Sequence, residues 1–248
     1  MGGDCSAQSA IGELAETQIK NWLAALPICS KRKNNILIPL RQVYADLYAD
    51  EVIDRNPLDR IKNLPVETRE PEPFSPDEIA RILAQLQGQE RNLIQFAFWS
   101  GLRTSELIAL RWQDVDLAKQ CIHVRVAKVR GNTKTTKITK TQAGMRQVTL
   151  QPEALAALLD QQTLNGAADI VFHNPRTNKP WHNDQAIRKT VWTPALKRAN
   201  VKYRTPYQTR HTFASMLLSR GDNPLWVATQ MGHKDWGMIR KVYGRWIA

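Results

Sequence analysis

Tyrosine, arginine and histidine side chains, which are residue types that can take part in catalysis, recur near the C-terminal end of the chain. The stretch YQTRHTFASMLLSRG places Tyr207, Arg210 and His211 on one turn of a predicted helix. His233 follows a glycine that ends another predicted helix, and Tyr243 lies in KVYGRW. A guanidinium forks onto a phosphate and stays charged, whereas a phenol can serve as a nucleophile. The pattern leaves open which of the two tyrosines reacts.

A further arginine, Arg103, lies in SGLRTSELIALRW, directly behind a Gly-Leu helix stop. An arginine is slightly unfavourable at a helix N-terminus, so its presence there indicates that an anion binds nearby. Taken singly, each of these residues is a weak signal. A histidine beside an arginine, or a histidine after a glycine, is more often structural than catalytic.

Basic residues crowd one predicted hairpin, AKVRGNTKTTKITKTQAGMRQVTL, which contains no acidic residue. A run of like charge is usually a solvated surface, but an entirely basic hairpin in a basic protein favours a ribbon that faces phosphates. The predicted DNA-contacting residues of this ribbon are Lys128, Arg130, Lys134, Lys137 and Arg146.

Composition narrows the partners of the chain. The 248 residues carry a formal net charge of +12, which favours polyanions, with nucleic acid first and an anionic membrane second. No apolar run approaches the ~18 residues that a membrane-spanning helix requires. The three cysteines lie far apart without a C-x-x-C pair, which is typical of reduced thiols in a cytoplasmic protein.

The elements in the first part of the chain are predicted to be helical. IGELAETQIKNWLAAL and RKNNILIPLRQVYADLYADEVI have apolar residues near helical spacing, with Pro39 near an end or a kink of the second helix. DRNPLDRIKNLP is predicted to add a short helical tail. VETREPEPF has the composition of a semi-rigid linker. We therefore predict a helical domain over residues 1–66, a linker over 67–74 and a second domain over 75–248.

The second domain must position the residues named above. SPDE predicts a helix start with a capping box from Ser75 and Glu78, and RNLIQFAFWSG predicts a buried helix that ends at Gly101. TSELIALRWQDVDL is predicted as the next helix, CIHVRVAKV as a strand and RQVTL as its returning partner. The rest is helical in pattern. The predicted fold class is mainly α with a small antiparallel β-sheet, an α+β domain preceded by a small helical domain.

In their order and spacing, five motifs resemble the tyrosine recombinase family of the phage-integrase type. They are SGLRTSELIALRW, TKTQAGMRQVTL, YQTRHTFASMLLSRG, VATQMGHKD and IRKVYGRW. The resemblance implies an active site built from two arginines, a hairpin lysine, a histidine after a glycine and a tyrosine nucleophile. Carried over residue by residue, these positions are Arg103, Lys140, Arg210, His233 and Tyr243.

The sequence departs from the family pattern at one place, where Tyr207 stands in the position that a histidine usually occupies. A phenol there can donate a hydrogen bond to phosphate but does not shuttle protons near pH 7. Lys137 is the alternative to Lys140 as the hairpin lysine. Glu106 is predicted either to orient an arginine or the lysine or to be an ordinary helix residue.

The resemblance implies site-specific cutting and rejoining of double-stranded DNA through a 3′-phosphotyrosyl intermediate, without a metal, ATP or another cofactor. It further implies a clamp of the helical core-binding (SAM-like) domain and the catalytic domain around DNA. The implied enzyme is monomeric or dimeric when free and a homotetramer on paired sites, with accessory DNA-bending or excision factors. It would act in the bacterial cytoplasm at the nucleoid and would not bind a membrane. Two other interpretations stay open, a catalytically inactive DNA-binding module of the same fold and a type IB topoisomerase-like enzyme.

Overall fold

The structure, a computed structural model, describes residues 14–67, 70–128, 136–138, 145–233 and 235–247, with Lys128 and residues 136–138 described by their backbone alone. The chain divides into two compact units, Met1–Arg69 and Glu70–Ala248. This division falls inside the segment 67–74 that the sequence analysis assigned to a linker.

Within residues 14–67, the described part of the first unit, the helices are α1 (Glu16–Ala25) and α2 (Ser30–Ala49). Its small core joins residues of both helices, such as Leu23 and Leu37, to Leu58 and Ile61 of the following segment. Pro39 lies in the interior of α2 rather than near its end. The predicted helical tail after α2 is wrong, because residues 51–64 form turns and extended chain that still bury apolar side chains.

The second unit begins with two helices whose boundaries follow the predicted signals. Helix α3 (Pro76–Leu83) carries the capping box, in which the Ser75 hydroxyl accepts from the Glu78 amide and the Glu78 carboxylate accepts from the Ser75 amide. The buried helix α4 (Gly88–Ser100) ends at Gly101, which has a φ of 63°. A Cβ on Gly101 would lie 2.4 Å from the Phe213 ring, so both backbone conformation and space require glycine.

The predicted helix over TSELIALRWQDVDL is much shorter than expected. Helix α5 spans only Thr104–Leu107, and a short 3₁₀ turn follows at Trp112–Asp114. Between them the backbone pairs with a distant segment: the Trp112 amide donates to the Asp169 carbonyl at 3.0 Å, and the Val171 amide donates to the Leu110 carbonyl at 3.0 Å. This tertiary pairing replaces the helical hydrogen bonds that the local pattern favoured.

The described residues form three small antiparallel sheets, whereas the sequence predicted one. The first, in the order β1-β2-β5, consists of β1 (Val115–Asp116), β2 (Cys121–Val124) and β5 (Arg146–Thr149). The predicted pairing of CIHV with RQVT is confirmed, with Ile122 opposite Val148. CIHVRVAKV divides at Arg125, and its second half forms β3 (Val126–Lys128), which pairs with β4 (Thr136–Ile138). The third sheet pairs β6 (His173–Asn174) with β7 (Lys179–Pro180).

The remaining elements are helices around two cores. They are α6 (Pro152–Asn165), α7 (Asp184–Ile187), a π-helical segment (Arg188–Trp192), α8 (Thr193–Arg198), α9 (Gln208–Ser219), α10 (Pro224–Met231) and α11 (Gly237–Tyr243), the last followed by a 3₁₀ turn (Gly244–Trp246). The larger core centres on buried aromatic rings such as Phe96 and Trp192. The smaller core lies among α9, α10 and α11 and includes Phe213 and Tyr243. The predicted mainly α class with small antiparallel sheets is confirmed. No helix of the described residues has the length and apolarity needed to cross a membrane.

Candidate active site

The C-terminal end of α10 presents three consecutive backbone carbonyls, residues 230–232, and each accepts a hydrogen bond from a different arginine. Arg146 Nε donates to the first at 2.7 Å, Arg210 Nη2 to the second at 2.5 Å and Arg103 Nη2 to the third at 3.4 Å. The last carbonyls of a helix have no partner within the helix and carry the negative end of its dipole. The end of α10 therefore gathers three guanidinium groups from widely separated parts of the chain.

Arg210 is the most deeply buried of the three, with a relative exposure of 1%. Its Nη1 donates to the Gly101 carbonyl at 2.6 Å, and its Nη2 also lies 3.1 Å from His233 Nε2. Its Nε has no hydrogen-bond partner among the residues that the structure describes. Burial, together with the charge of Arg103, lowers the pKa of Arg210 to about 10, so the group remains charged at neutral pH.

Glu106 is the carboxylate that joins the other two arginines. It is 3% exposed, and its Oε1 and Oε2 accept from Arg146 at 3.2 and 3.0 Å. Arg103 Nη1 donates to Oε1 at 2.8 Å, and the Arg103 amide donates to Oε2 at 2.9 Å. Burial alone would raise the pKa of Glu106, but hydrogen bonds and charge from Arg146 and Arg103 outweigh that effect and lower it. Glu106 thus contacts the guanidinium groups of both Arg103 and Arg146.

Arg146 requires a correction. The sequence analysis placed it among the DNA-contacting residues of the basic hairpin, but its side chain is only 4% exposed. Its guanidinium is held by Glu106 and by the carbonyl at the end of α10. Since β5 lies in the sheet with β2 and contacts α10 rather than extending the hairpin tip, Arg146 is part of the internal charge cluster.

His233 follows the left-handed Gly232, which ends α10 with a φ of 67°. Because an arginine cannot accept a hydrogen bond, His233 Nε2 accepts from Arg210, and the proton of the neutral ring resides on Nδ1. Nδ1 is buried without a partner among the described residues. Burial and the charge of Arg210 lower the pKa of His233 to about 4, so the ring is neutral at pH 7.

Tyr243 lies at the last position of α11 and is 2% exposed. Its Oη is 2.7 Å from Nδ1 of His211, and the two rings are tilted by 48° with centroids 5.6 Å apart. Burial raises the pKa of the Tyr243 phenol well above its usual range, although the charge of Arg210 acts in the opposite direction. The phenol is therefore un-ionised in the free protein.

Tyr207 immediately precedes α9 and is 46% exposed. Its ring meets the His211 ring edge to face, with centroids 5.1 Å apart. The structure thus brings Tyr207, His211 and Tyr243 into one row. Among the described residues Tyr207 makes no side-chain hydrogen bond within the site, which leaves its hydroxyl open toward solvent.

The first residues of the second unit secure the helices that carry the site. The Phe74 amide donates to Thr212 Oγ1 of α9 at 3.0 Å. Arg245, just beyond Tyr243, donates to the Glu70 carboxylate at 2.5 Å and to the Pro71 carbonyl at 2.8 Å. These contacts connect both α9 and the segment after α11 to the same short segment, residues 70–74.

The remaining predicted site residues belong to the basic hairpin. Lys140, Arg130 and Lys134 lie outside the described residues. Lys128 and Lys137 are described by backbone alone, in the antiparallel pair β3–β4, where Ala127 lies opposite Lys137. Within the described ranges no group of three or more His, Cys, Asp or Glu side chains could hold a metal ion.

Sequence reasoning missed two structural features of the candidate site. His211 was noted beside Arg210 but treated as structural, and its contact with Tyr243 depends on how α11 packs on α9. The carbonyl cluster of residues 230–232 carries no side-chain signal. Only Gly232, as a helix-ending glycine, could have indicated exposed carbonyls at this point.

Comparison with known proteins places this geometry in context. The model of the phage integrase family matches residues 73–246. The prophage integrase IntR of Escherichia coli (strain K12) is 37% identical over 227 residues, which cover 81% of this chain and 54% of that protein. The chain thus spans about half the length of this curated relative.

Solved structures with the same fold include two integrases bound to DNA. The Tn1549 transposon integrase in complex with a circular intermediate DNA has a TM-score of 0.77 at 23% identity, over 96% of this chain and 82% of that one. A lambda integrase tetramer bound to a Holliday junction has a TM-score of 0.69 at 14% identity, over 91% of this chain and 66% of that one. At these identities the likeness establishes the fold.

Proposed function

Because the chain belongs to the phage integrase family, we propose that it is a site-specific recombinase that cuts and rejoins double-stranded DNA to integrate or excise a mobile element. The observation that carries the proposal is the meeting of Arg103, Arg210 and His233 at one end of α10, with Tyr243 on the adjoining helix α11. The prophage and transposon integrases that the chain resembles support the same reaction class.

In the proposed reaction, Tyr243 Oη attacks a DNA phosphorus atom. A bond forms between that oxygen and phosphorus, and the bond from phosphorus to the 5′ oxygen breaks, which leaves a 3′-phosphotyrosyl link. Lys140, with Lys137 as the alternative, donates a proton to the departing 5′ oxygen. A second DNA end reverses the step. Since the phosphodiester energy is kept in the covalent intermediate, the reaction proceeds without ATP.

The buried donors of Arg210 and His233 fit a phosphate oxygen. Arg210 Nε and His233 Nδ1 are both buried without a partner among the described residues, and such groups are costly to leave unpaired. We assign them, with the half-exposed guanidinium of Arg103, to the non-bridging oxygens, where charge grows in the transition state. These guanidiniums supply the positive charge that a metal supplies in other phosphoryl-transfer sites, so we propose that the reaction needs no metal.

The remaining elements of the proposal concern partners and place. The first unit would bind DNA as a core-binding domain, and the basic hairpin residues other than Arg146 would contact phosphates. We further propose that the chain acts as a homotetramer on paired DNA sites, together with accessory DNA-bending or excision factors. Its proposed place of action is the bacterial nucleoid. The similarity to a lambda integrase fold that was solved as a tetramer on a Holliday junction supports this assembly.

A covalent-trapping assay tests the function. A nicked suicide substrate, made from DNA that flanks the element encoding this chain, should yield a protein–DNA adduct, and the same reaction in EDTA should proceed at the same rate. Tyr243→Phe should abolish the adduct, whereas the matched variant Tyr207→Phe should slow it only modestly. Binding without an adduct would identify an inactive DNA-binding module, and relaxation of plasmids without any site would identify a topoisomerase.

A further inference from the structure

The nucleophile of the proposed reaction rests against a histidine to which the family resemblance gives no role. His211 Nδ1 lies 2.7 Å from Tyr243 Oη, a normal length for a hydrogen bond to a hydroxyl. Two other groups of the site face His211. Arg210 precedes it in the chain, and the Tyr207 ring contacts its edge at a centroid distance of 5.1 Å.

In the tautomer of His211 that carries its proton on Nε2, Nδ1 accepts this hydrogen bond from the phenol. Burial and the neighbouring charge of Arg210 lower the pKa of His211 to about 4, so its ring is neutral at pH 7 and one nitrogen carries a lone pair. Burial raises the pKa of Tyr243, so its hydroxyl keeps its proton in the free protein. A neutral imidazole that receives a phenolic hydrogen bond has the arrangement of a general base beside its nucleophile.

Tyr207 does not supply the acceptor. It stands where the family usually has a histidine, and a phenol lacks the basic ring nitrogen that a neutral imidazole offers. Tyr207 also contacts the ring of His211 rather than the hydroxyl of Tyr243. Of the described side chains, only His211 has an acceptor hydrogen-bonded to the Tyr243 hydroxyl.

We propose that His211 is a catalytic residue that accepts the Tyr243 proton during DNA cleavage. The inference rests on the proposed function, in which Tyr243 is the nucleophile. As the bond from Oη to phosphorus forms, the phenolic proton passes to Nδ1 and the 5′ oxygen departs with a proton from the hairpin lysine. In rejoining, the imidazolium returns its proton to the departing tyrosine oxygen, so His211 ends each cycle neutral.

The charge pattern makes the transfer depend on DNA. In the free protein the Arg210 guanidinium disfavours a second positive charge on the adjacent His211. A phosphodiester that binds Arg210 brings a negative charge to the same place and offsets that repulsion. The proton acceptor is thus weak until the substrate is bound, which restrains the nucleophile in the absence of DNA.

Single-turnover cleavage of the nicked substrate tests the inference with three variants. His211→Ala removes the acceptor, and His211→Asn keeps an acceptor oxygen near the position of Nδ1 but cannot take up a proton. Both should slow adduct formation by at least ~100-fold, the usual contribution of a general base. Imidazole added to His211→Ala should restore a large part of the rate. His182→Ala, at an exposed histidine outside the site, is the matched control and should cleave at the wild-type rate.

Three results would overturn the role: a wild-type rate in His211→Ala, a wild-type rate in His211→Asn, or no rescue of His211→Ala by imidazole. A fast His211→Asn would mean that the hydrogen bond only orients the phenol. Affinity for uncleaved DNA and the thermal midpoint verify folding, and His211→Ser replaces His211→Ala if the latter is unstable. An adduct in wild type that is lost in Tyr243→Phe supports the proposed function regardless of these outcomes.

Discussion

Arg210 shows how a single residue can be required for its shape as well as its charge. Its two terminal nitrogens donate to the carbonyls of Gly101 and Met231, which lie in different parts of the chain, and Nε has no partner among the described residues. A lysine ammonium is a point charge that cannot span both carbonyls. The residue therefore joins two parts of the fold and, on the proposed function, also donates to the phosphate of the DNA.

We expect Arg210→Lys to slow single-turnover cleavage by at least ~100-fold, as for a lost transition-state contact, while DNA affinity stays largely intact. The measurements are adduct formation from the suicide substrate and a parallel binding titration. Arg220→Lys, at an arginine whose side chain is 58% exposed and paired with Asp222, is the control. Equal losses of binding and cleavage would contradict a transition-state role.

A second prediction at the residue scale concerns the contribution of the Glu106 carboxylate to the free energy of unfolding. Removal of one partner from a buried ion pair costs about 3–5 kcal/mol, because the other charge is left uncompensated. Glu106→Gln leaves Arg103 and Arg146 facing each other without their shared carboxylate. Its free energy of unfolding at pH 7, measured by urea titration, should fall by about that amount.

The pH dependence of the stability of Glu106→Gln follows from the direction in which folding shifts the pKa of Glu106. The folded-state pKa of Glu106 lies below its ordinary value of 4.5 in an unfolded chain, so its contribution to stability is fully present above that pH and is lost as the pH falls through the folded-state pKa. The wild type should therefore lose stability more steeply below about pH 4.5 than Glu106→Gln does. Glu153→Gln, at an exposed position of α6, should leave both the stability and its acid dependence unchanged.

At the scale of elements, the junction between α4 and α9 is set by Gly101. Its positive φ ends α4, its carbonyl receives Arg210, and its missing side chain makes room for the Phe213 ring. Gly221, which follows α9, has a φ of 89° but open space around it. Comparison of the two glycines distinguishes backbone strain from steric collision. A side chain at Gly221 would cause strain alone, whereas a side chain at Gly101 would cause both.

We expect Gly221→Ala to cost about 1–2 kcal/mol of unfolding free energy, the usual penalty for a left-handed residue with a Cβ, and to cleave normally. Gly101→Ala should cost more than this, and it should slow cleavage because a shift between α4 and α9 moves the acceptor of Arg210. Thermal unfolding and single-turnover cleavage measure the two effects. Similar values for both variants would show that the contact with Phe213 is unimportant.

Local signals predicted those elements whose stabilising contacts are themselves local. The capping box of Ser75 and Glu78 and the glycine stop at Gly101 depend on neighbouring residues, and both appeared as predicted. Helix α5 was overestimated because residues 110–112 pair with a segment nearly sixty positions away, 169–171. The linear sequence contains no local trace of that competition.

In the candidate site, too, sequence motifs predicted some features, whereas features that depend on tertiary contacts were missed. The motifs identified Arg103, Arg210, His233 and Tyr243 as one set, and the structure brings the four residues to adjoining helix ends. Arg146 was misassigned because its position in a basic run concealed its pairing with Glu106. His211 was passed over because its partner is set by the packing of α11 on α9, a tertiary contact that spacing along one helix cannot reveal.

For the whole molecule, the net charge of +12 predicts how binding responds to salt. If the chain contacts 6–10 phosphates, its affinity should fall by about 10³–10⁵-fold between 50 and 200 mM salt, because counterions released from DNA drive binding. Fluorescence anisotropy with duplex DNA measures the slope. Lys134→Ala and Lys137→Ala together should make the slope shallower by about two phosphate contacts, whereas an unchanged slope would place the hairpin away from DNA.

The three arginines that donate to the carbonyls at the end of α10 have a consequence for the order of events during synthesis of the chain. The contacts that hold its arginines join positions 129, 84 and 21 residues apart, and Arg210 reaches a further 109 residues to Gly101. A nascent chain that ends before Gln230 lacks all three carbonyls to which the guanidiniums donate. On the proposed function, DNA cleavage therefore requires the completed fold, and a translation product that stops before α10 should not cleave DNA.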